Sequence, residues 1–263
     1  MTPPASPSSD PLLAIAVFGE SASVALRRGG AQPRLVIAAE PAGRSRSSSL
    51  LPLVSDVMAR SSCGLAELAG VAFEAGPGGF TSLRVACALA QGLGIALGVP
   101  VCPVGSLEAA AVSLVLGQRV GADAVTQARV LVANDARMGE CYFGVFEVAV
   151  DPARQSARVS TLLEAQCGDP QRVVDAFGCW SRQCPGLRIA GDAHHRHAGL
   201  GSALGGLGVT PADARPDARA VAMIAAGPEM AWLDAADAAP RYVREKVALD
   251  VDEQRALRAA AAT

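Results

Sequence analysis

Between Phe73 and Ala110 the chain reads FEAGPGGFTSLRVACALAQGLGIALGVPVCPVGSLEAA, strand, glycine loop, helix, strand and helix in succession. An apolar run ends at Phe73, and Gly76, Pro77, Gly78 and Gly79 then reverse the chain. Glycine here is expected to supply positive φ values that side chains resist. The spacing turns helical at Thr81 or Ser82, either of which is expected to cap the first turn with its hydroxyl. Gly98-Val99-Pro100 ends that helix after Leu97. Val101 to Val104 follows as a strand and Leu107 to Leu116 as a second helix.

Amides of a glycine loop that point the same way as a helix N-terminus make an anion cradle, so Gly76, Gly78, Gly79, Thr81 and Arg84 are the candidate anion contacts. The loop lacks the Gly-Lys-Ser/Thr ending of a phosphate loop and the spacing GxGxxG of a dinucleotide fold. Arg84 opposes the helix dipole in the first turn, which implies a specific anionic partner. Glu74 or Glu108 is favoured over a bound phosphate, since structural pairs are the commoner cause of such placements.

The net charge is −2 and Lys246 is the chain's one lysine, so no basic stripe for holding a nucleic acid unaided is implied. Residues 1–11 are rich in proline and serine, without the basic and apolar regions of a signal peptide, and read as a disordered leader of a cytoplasmic protein. The uncharged run Val85 to Leu107 is divided by Gly92, Gly94, Gly98, Pro100 and Pro103 into a helix too short to span a membrane and a buried strand. Seven cysteines include no CxxC pair and are expected to be reduced, mostly small core residues. A disulfide or metal site at Cys179 and Cys184 is the lesser alternative.

Leu12 to Phe18, Ser21 to Arg28 and Arg34 to Glu40 read as three antiparallel strands. Leu50, Leu51, Leu53, Val54, Val57 and Met58 then recur at helical spacing up to Arg60. Residues 12–117 form one expected lobe. Residues 118–263 form a second lobe and tail, with strands at Val130 to Ala133, Cys141 to Val148, Arg158 to Leu163 and Leu187 to Ala190, and a helix from Ala218 to Leu233. The chain's three histidines, His194, His195 and His197, have no nearby carboxylate or cysteine at a spacing that completes a known metal site, and read as a solvated helix start capped by Asp192.

GPGGFTSLR (Gly76 to Arg84), followed by GLGIALGVPV and SLEA, resembles the central motif of the TsaB family, the partner subunits of bacterial tRNA threonylcarbamoyladenosine synthesis. LLAIAVFGESASVAL, NDARMGECYFGVF and PRYVREKVAL agree with that family in order and spacing. The resemblance implies an α/β fold of two ribonuclease-H-like lobes, of the actin/Hsp70/sugar-kinase (ASKHA) type, the second lobe degenerate. It implies a heterodimer with TsaD, whose threonylcarbamoyl transfer to adenosine 37 of ANN-decoding tRNAs this chain activates without catalysing it. TsaE is a further possible partner, tRNA is met indirectly, no membrane is involved, and a homodimer is possible when the chain is alone.

Where such sequences carry an acid on the first strand this one has Ala16, and Arg46 stands where they often have a histidine. No catalytic residue, metal or cofactor is therefore expected, and nucleotide only in the complex. The family's heterodimer surface is the two helices of the first lobe. On these, Leu50, Val54, Val57, Leu83, Ala86, Ala90 and Leu93 are the candidate interface, because the small residues of the second helix let a partner approach. Two alternatives remain, a small-molecule kinase or ATPase of the same fold and, less favoured, a glycoprotease.

Overall fold

The computed structural model of the chain describes residues 11–40, 46–117 and 126–244. The proposed leader up to residue 10, the start of the second lobe at 118 and the end of the tail motif beyond Arg244 lie outside the described residues. Strands β1 (Leu12–Phe18) and β2 (Ser21–Arg28) form a hairpin around Gly19-Glu20, with Phe18 opposite Ser21. β3 (Arg34–Glu40) extends it antiparallel. Helix α1 (Arg46–Arg60) leads to β4 (Gly70–Gly76), which runs parallel to β1, and α2 (Phe80–Leu97) leads to β5 (Val101–Gly105), parallel to β4. The sheet order β3-β2-β1-β4-β5 is that of the expected ribonuclease-H-like lobe.

After α3 (Ser106–Leu116) the chain begins again, with β6 (Thr126–Arg137), β7 (Glu140–Asp151) and β8 (Ser156–Gly168) forming an antiparallel meander. Helix α4 (Pro170–Gln183) then delivers β9 (Arg188–Ala190) parallel to β6. The order β8-β7-β6-β9 repeats the first sheet without a fifth strand among the described residues, which is the form the degeneracy takes. Short helices α5 (Ala193–Arg196) and α6 (Ala198–Gly206) and then α7 (Ala218–Ala225) complete the set.

Alternation along β1 assigns the layers. Leu13, Ile15 and Val17 share a core with α1 and α2, while Leu12, Ala14 and Ala16 face the other way, into a core shared with α3, α7 and the inner face of the second sheet. Because α3 lies between two sheets, Ala109, Ala110, Ala111 and Val112 are all buried, which is why the helix is apolar almost all round. On the far side, Val173 and Phe177 of α4, together with Leu200 and Leu204 of α6, cover the second sheet.

Three expectations are corrected. α7 stops at Ala225 rather than Leu233, because Gly227-Pro228 follows and proline cannot continue the ladder. Helix α4 was not expected, although Asp169 caps it by accepting the Arg172 N–H at 3.1 Å and Pro170 occupies its first turn. At 18 residues α2 is long and apolar enough to cross a membrane by length and composition alone, but one face packs on β4 and β1 as a layer of the lobe.

Candidate functional site

The two lobes meet in a cleft of about 420 Å³. It is enclosed by the β1–β2 turn at Phe18 to Ser21, the glycine loop from Gly78 to Ser82, the end of β6 from Asn134 to Arg137, Tyr142 on β7, Asp192 with Arg196 on and beside α5, and Arg215 before α7. Hairpin turns and a helix start are the expected furniture of such a junction, since both sheets direct the ends of their first strands there. Its charges are Arg137, Arg196 and Arg215 against Glu20, Asp135 and Asp192.

Most of these acids are already engaged. The Asp135 N–H donates to Asp192 Oδ1 at 2.9 Å, and Asp135 Oδ1 stands 3.3 Å from His197 Nε2, with Arg137 3.5 Å from Oδ2. Asp192 therefore receives the Asp135 amide, and no side-chain cap forms on α5. His194 and His197 are largely buried and only His195 is half-exposed, so the expected solvated helix start is corrected. Burial, and then the neighbouring His195 ring, hold His194 below its ordinary pKa despite Asp213.

The glycine loop differs from expectation in detail. Of its glycines only Gly76 has positive φ, at 112°. A Cβ there would stand 2.6 Å from the carbonyl oxygen of Arg241, so glycine is required to let the tail lie across the loop. Helix α2 starts at Phe80 after Gly79 with no side-chain cap. Thr81 is exposed and Ser82 instead donates its hydroxyl to the Gly19 carbonyl at 3.5 Å, across to the β1–β2 turn.

Arg84 is paired with neither Glu74 nor Glu108. Its guanidinium sits 3.6 Å from the centroid of the Phe80 ring and its Nε donates to the Tyr242 hydroxyl at 3.2 Å, while Phe80 and Tyr242 pack ring to ring at 5.8 Å. The Arg241 N–H donates to the Ala75 carbonyl at 2.7 Å, and Arg244 reaches Glu140 and the carbonyl of Arg137. The central motif, the β6–β7 motif and the tail motif thus form one assembly, a juxtaposition that spacing in the sequence does not reveal.

Glu74 closes the floor behind the loop. Fully buried on β4, it accepts the Val17 N–H at 2.9 Å through Oε2 and the Ser106 hydroxyl at 2.8 Å through Oε1. Burial pushes its pKa up to about 8, with the Ser106 and Val17 hydrogen bonds opposing, so the neutral form of the carboxyl is favoured at pH 7. Ala16, on the adjacent strand, is buried in the layer between the sheets. Neither Ala16 nor Glu74 lines the cleft. All seven cysteines are free, Cys184 buried and Cys179 exposed, so the disulfide alternative at that pair is not realised.

The candidate interface residues are corrected as well. Leu50, Val54, Val57, Ala86 and Ala90 are buried against the chain's own first sheet, Leu93 is half-buried beside them, and Leu83 is buried beneath the glycine loop at Gly76 and Gly78. The outward side of α2 is formed by Ala88, Gly92, Ile95 and Ala96, flanked by Val85, Leu89 and Leu93, with no charge between Val85 and Leu97. Ile95 is 61% exposed and Leu51, on α1, 60%.

The family model described as TsaD, tRNA N6-adenosine threonylcarbamoyltransferase, matches residues 19–161. The tRNA threonylcarbamoyladenosine biosynthesis protein TsaB of Haemophilus influenzae is 37% identical over 132 residues, 50% of this chain and 52% of that protein. TsaB of Escherichia coli is 33% identical over 136 residues, 52% of this chain and 54% of that protein, so the chain spans about half the length of the curated relatives it matches. YeaZ from Pseudomonas aeruginosa superposes with a TM-score of 0.66 at 26% identity, over 89% of this chain and 99% of that one. A Pseudomonas aeruginosa protein described as similar to peptidase YeaZ gives 0.68 at 27%, over 89% of this chain and 100% of that one. With more than half its length matched by the family model, and with TsaB and YeaZ as its relatives, the chain belongs to the TsaD family of tRNA N6-adenosine threonylcarbamoyltransferase-type proteins as a TsaB/YeaZ-like member.

Proposed function

We propose that this chain acts in tRNA threonylcarbamoyladenosine formation as a non-catalytic cytoplasmic subunit. It binds and activates a TsaD enzyme for threonylcarbamoyl transfer to N6 of adenosine 37. The observation that carries the reading is the uncharged outer face of α2, where Ala88, Gly92 and Ala96 leave room for a second helix to approach closely and Ile95 and Leu51 offer apolar area to bury. The partner surface therefore lies on the two helices of the first lobe, but on their outward positions. Supporting the absence of catalysis, β1 carries Ala16 where a phosphate-side acid would stand, and Asp135 and Asp192 are occupied with internal partners. TsaE joins through the complex, tRNA is met through TsaD, and nucleotide binds only where the two subunits meet. Alone, the same face supports a homodimer.

Depletion of the chain in its own cell, followed by mass spectrometry of tRNA nucleosides, tests the reading. Threonylcarbamoyladenosine should fall, wild type should restore it, and Ile95→Arg should fold normally yet restore it poorly. One buried, unpaired charge costs several kcal/mol, or two or more decades of affinity at about 1.4 kcal/mol per decade. Unchanged nucleoside levels after depletion refute the assignment. A kinase or ATPase is the second reading, favoured by the arginine-bearing cleft, and turnover of ATP by the isolated chain would establish it.

A further inference from the structure

Three possible donors converge at the second-lobe side of the cleft. His194 and His195 lie on α5, and Asp213 lies on the strand-like segment that follows α6. One ligand atom from each falls within 4.8 Å of the others. Asp213 Oδ1 is 2.5 Å from His195 Nε2 and 3.6 Å from His194 Nε2, and the two imidazole rings lie with centroids 3.9 Å apart at an interplanar angle of 40°. In a tetrahedral site with bonds of about 2.0–2.1 Å, donors stand about 3.4 Å apart. The His194 separation already fits that spacing, and His195 and Asp213, both substantially exposed, have freedom to open.

The backbone that carries these groups is fixed. Ala212 bridges to Ala190 at the end of β9, its N–H donating to the Ile189 carbonyl at 3.0 Å while the Gly191 N–H donates to the Ala212 carbonyl at 3.1 Å. Gly191 has φ of 119°, and a Cβ there would stand 2.0 Å from the Ala133 carbonyl oxygen, so only glycine turns the chain from β9 into α5. On the other side Asp192 is tied to β6, its N–H donating to Asn134 Oδ1 at 3.3 Å and its Oδ1 accepting the Asp135 N–H at 2.9 Å. Both ligand-bearing segments therefore leave the same strand edge at a set distance. The third donor, Asp213, stands 18 residues from His195 in sequence and joins the histidines only in the fold.

We propose that His194, His195 and Asp213 form a binding site for a divalent transition metal ion of the zinc class. Two imidazoles and one carboxylate are a borderline donor set that favours zinc, cobalt, nickel or copper over magnesium and calcium, which take all-oxygen shells. Three protein ligands leave the fourth position to water or an anionic oxygen. His197 is not part of the set, since its Nε2 faces Asp135. Asp192 and Arg196, the neighbours of these histidines, and Arg215 line the interlobe cleft, so an ion here would pin the rim of that cleft. The proposal is independent of partner binding.

The test uses the untagged full chain, stripped of metal, titrated with Zn²⁺ by calorimetry and with Co²⁺ by visible absorption. One equivalent should bind saturably, with the ligand-field bands of a low-coordinate nitrogen and oxygen site and without thiolate charge transfer. His195→Ala and Asp213→Asn, both at exposed side chains and so expected to fold, should each weaken binding by at least about tenfold, a loss that even an outer-shell change produces. Cys179→Ser should bind as wild type. No saturable binding below about 1 mM, affinity unchanged in either ligand variant, or loss in Cys179→Ser would each overturn the site.

Discussion

Glu74 is neutral in the folded chain near pH 7 and ionised in the unfolded one, and that difference is measurable. Burial raises its pKa from 4.5 to about 8. Between those values the folded state holds a proton that the unfolded chain has released. Stability from this group is therefore fully present below about pH 4.5, falls as pH rises across the window, and levels off above about 8. At about 1.4 kcal/mol per pH unit the total change is on the order of 4–5 kcal/mol. Glu74→Gln keeps the volume and an acceptor for the Val17 N–H but has no proton to lose. Urea midpoints of both proteins between pH 5.5 and 8.5 are the assay. The stability of the variant relative to wild type should climb by about 3 kcal/mol across that range. Glu108 and Asp217, whose pKa values burial also raises, cancel in the difference. Parallel profiles for the two proteins would show that Glu74 is ionised in the fold and refute the reasoning.

Ala90→Arg should unfold the chain or cost at least about 3 kcal/mol in a melting experiment, because Ala90 faces β1 and β4 with no exposure, whereas Ile95→Arg on the outward side should stay within about 0.5 kcal/mol of wild type. Equal melting temperatures for the two variants would contradict the assignment of the α2 faces. Gly191→Ala should lose about 3 kcal/mol or more, against about 1–2 for Gly139→Ala, which shares positive φ but opens on solvent, so equal losses in denaturant titrations would show that the Ala133 carbonyl gives way.

The first lobe was legible because each of its elements is local in the sequence. β-rich runs from Leu12 to Glu40 separated by turn residues, and a glycine-bounded helix from Phe80 to Leu97, state their own boundaries, and the parallel order of β1, β4 and β5 follows from the intervening helices. Contacts at long separation were not legible. Arg84 was assigned Glu74 or Glu108 because structural ion pairs are the commoner cause of such placements, but its partners are the ring of Phe80 and the hydroxyl of a tyrosine 158 residues away. Asp213 likewise reaches His195 only because Ala212 adds to the edge of β9.

The error on α2 has a different cause. A small residue on a helix serves equally to let the helix lie close to its own sheet or to admit a partner, so composition alone cannot choose. Helical phase can, since the buried set Leu83, Ala86, Cys87, Ala90 and Gly94 follows intervals of three and four residues, and a Cβ on Gly94 would stand 2.6 Å from Ala235. The inward small residues are consumed by the lobe's own packing. Ala88, Gly92 and Ala96 recur every four residues on the opposite side and are exposed, with nothing within 4 Å of a Cβ on Gly92. In the proposed complex, a partner helix that exploits close approach would lie along that second stripe, with Ile95 and Leu51 at its contact.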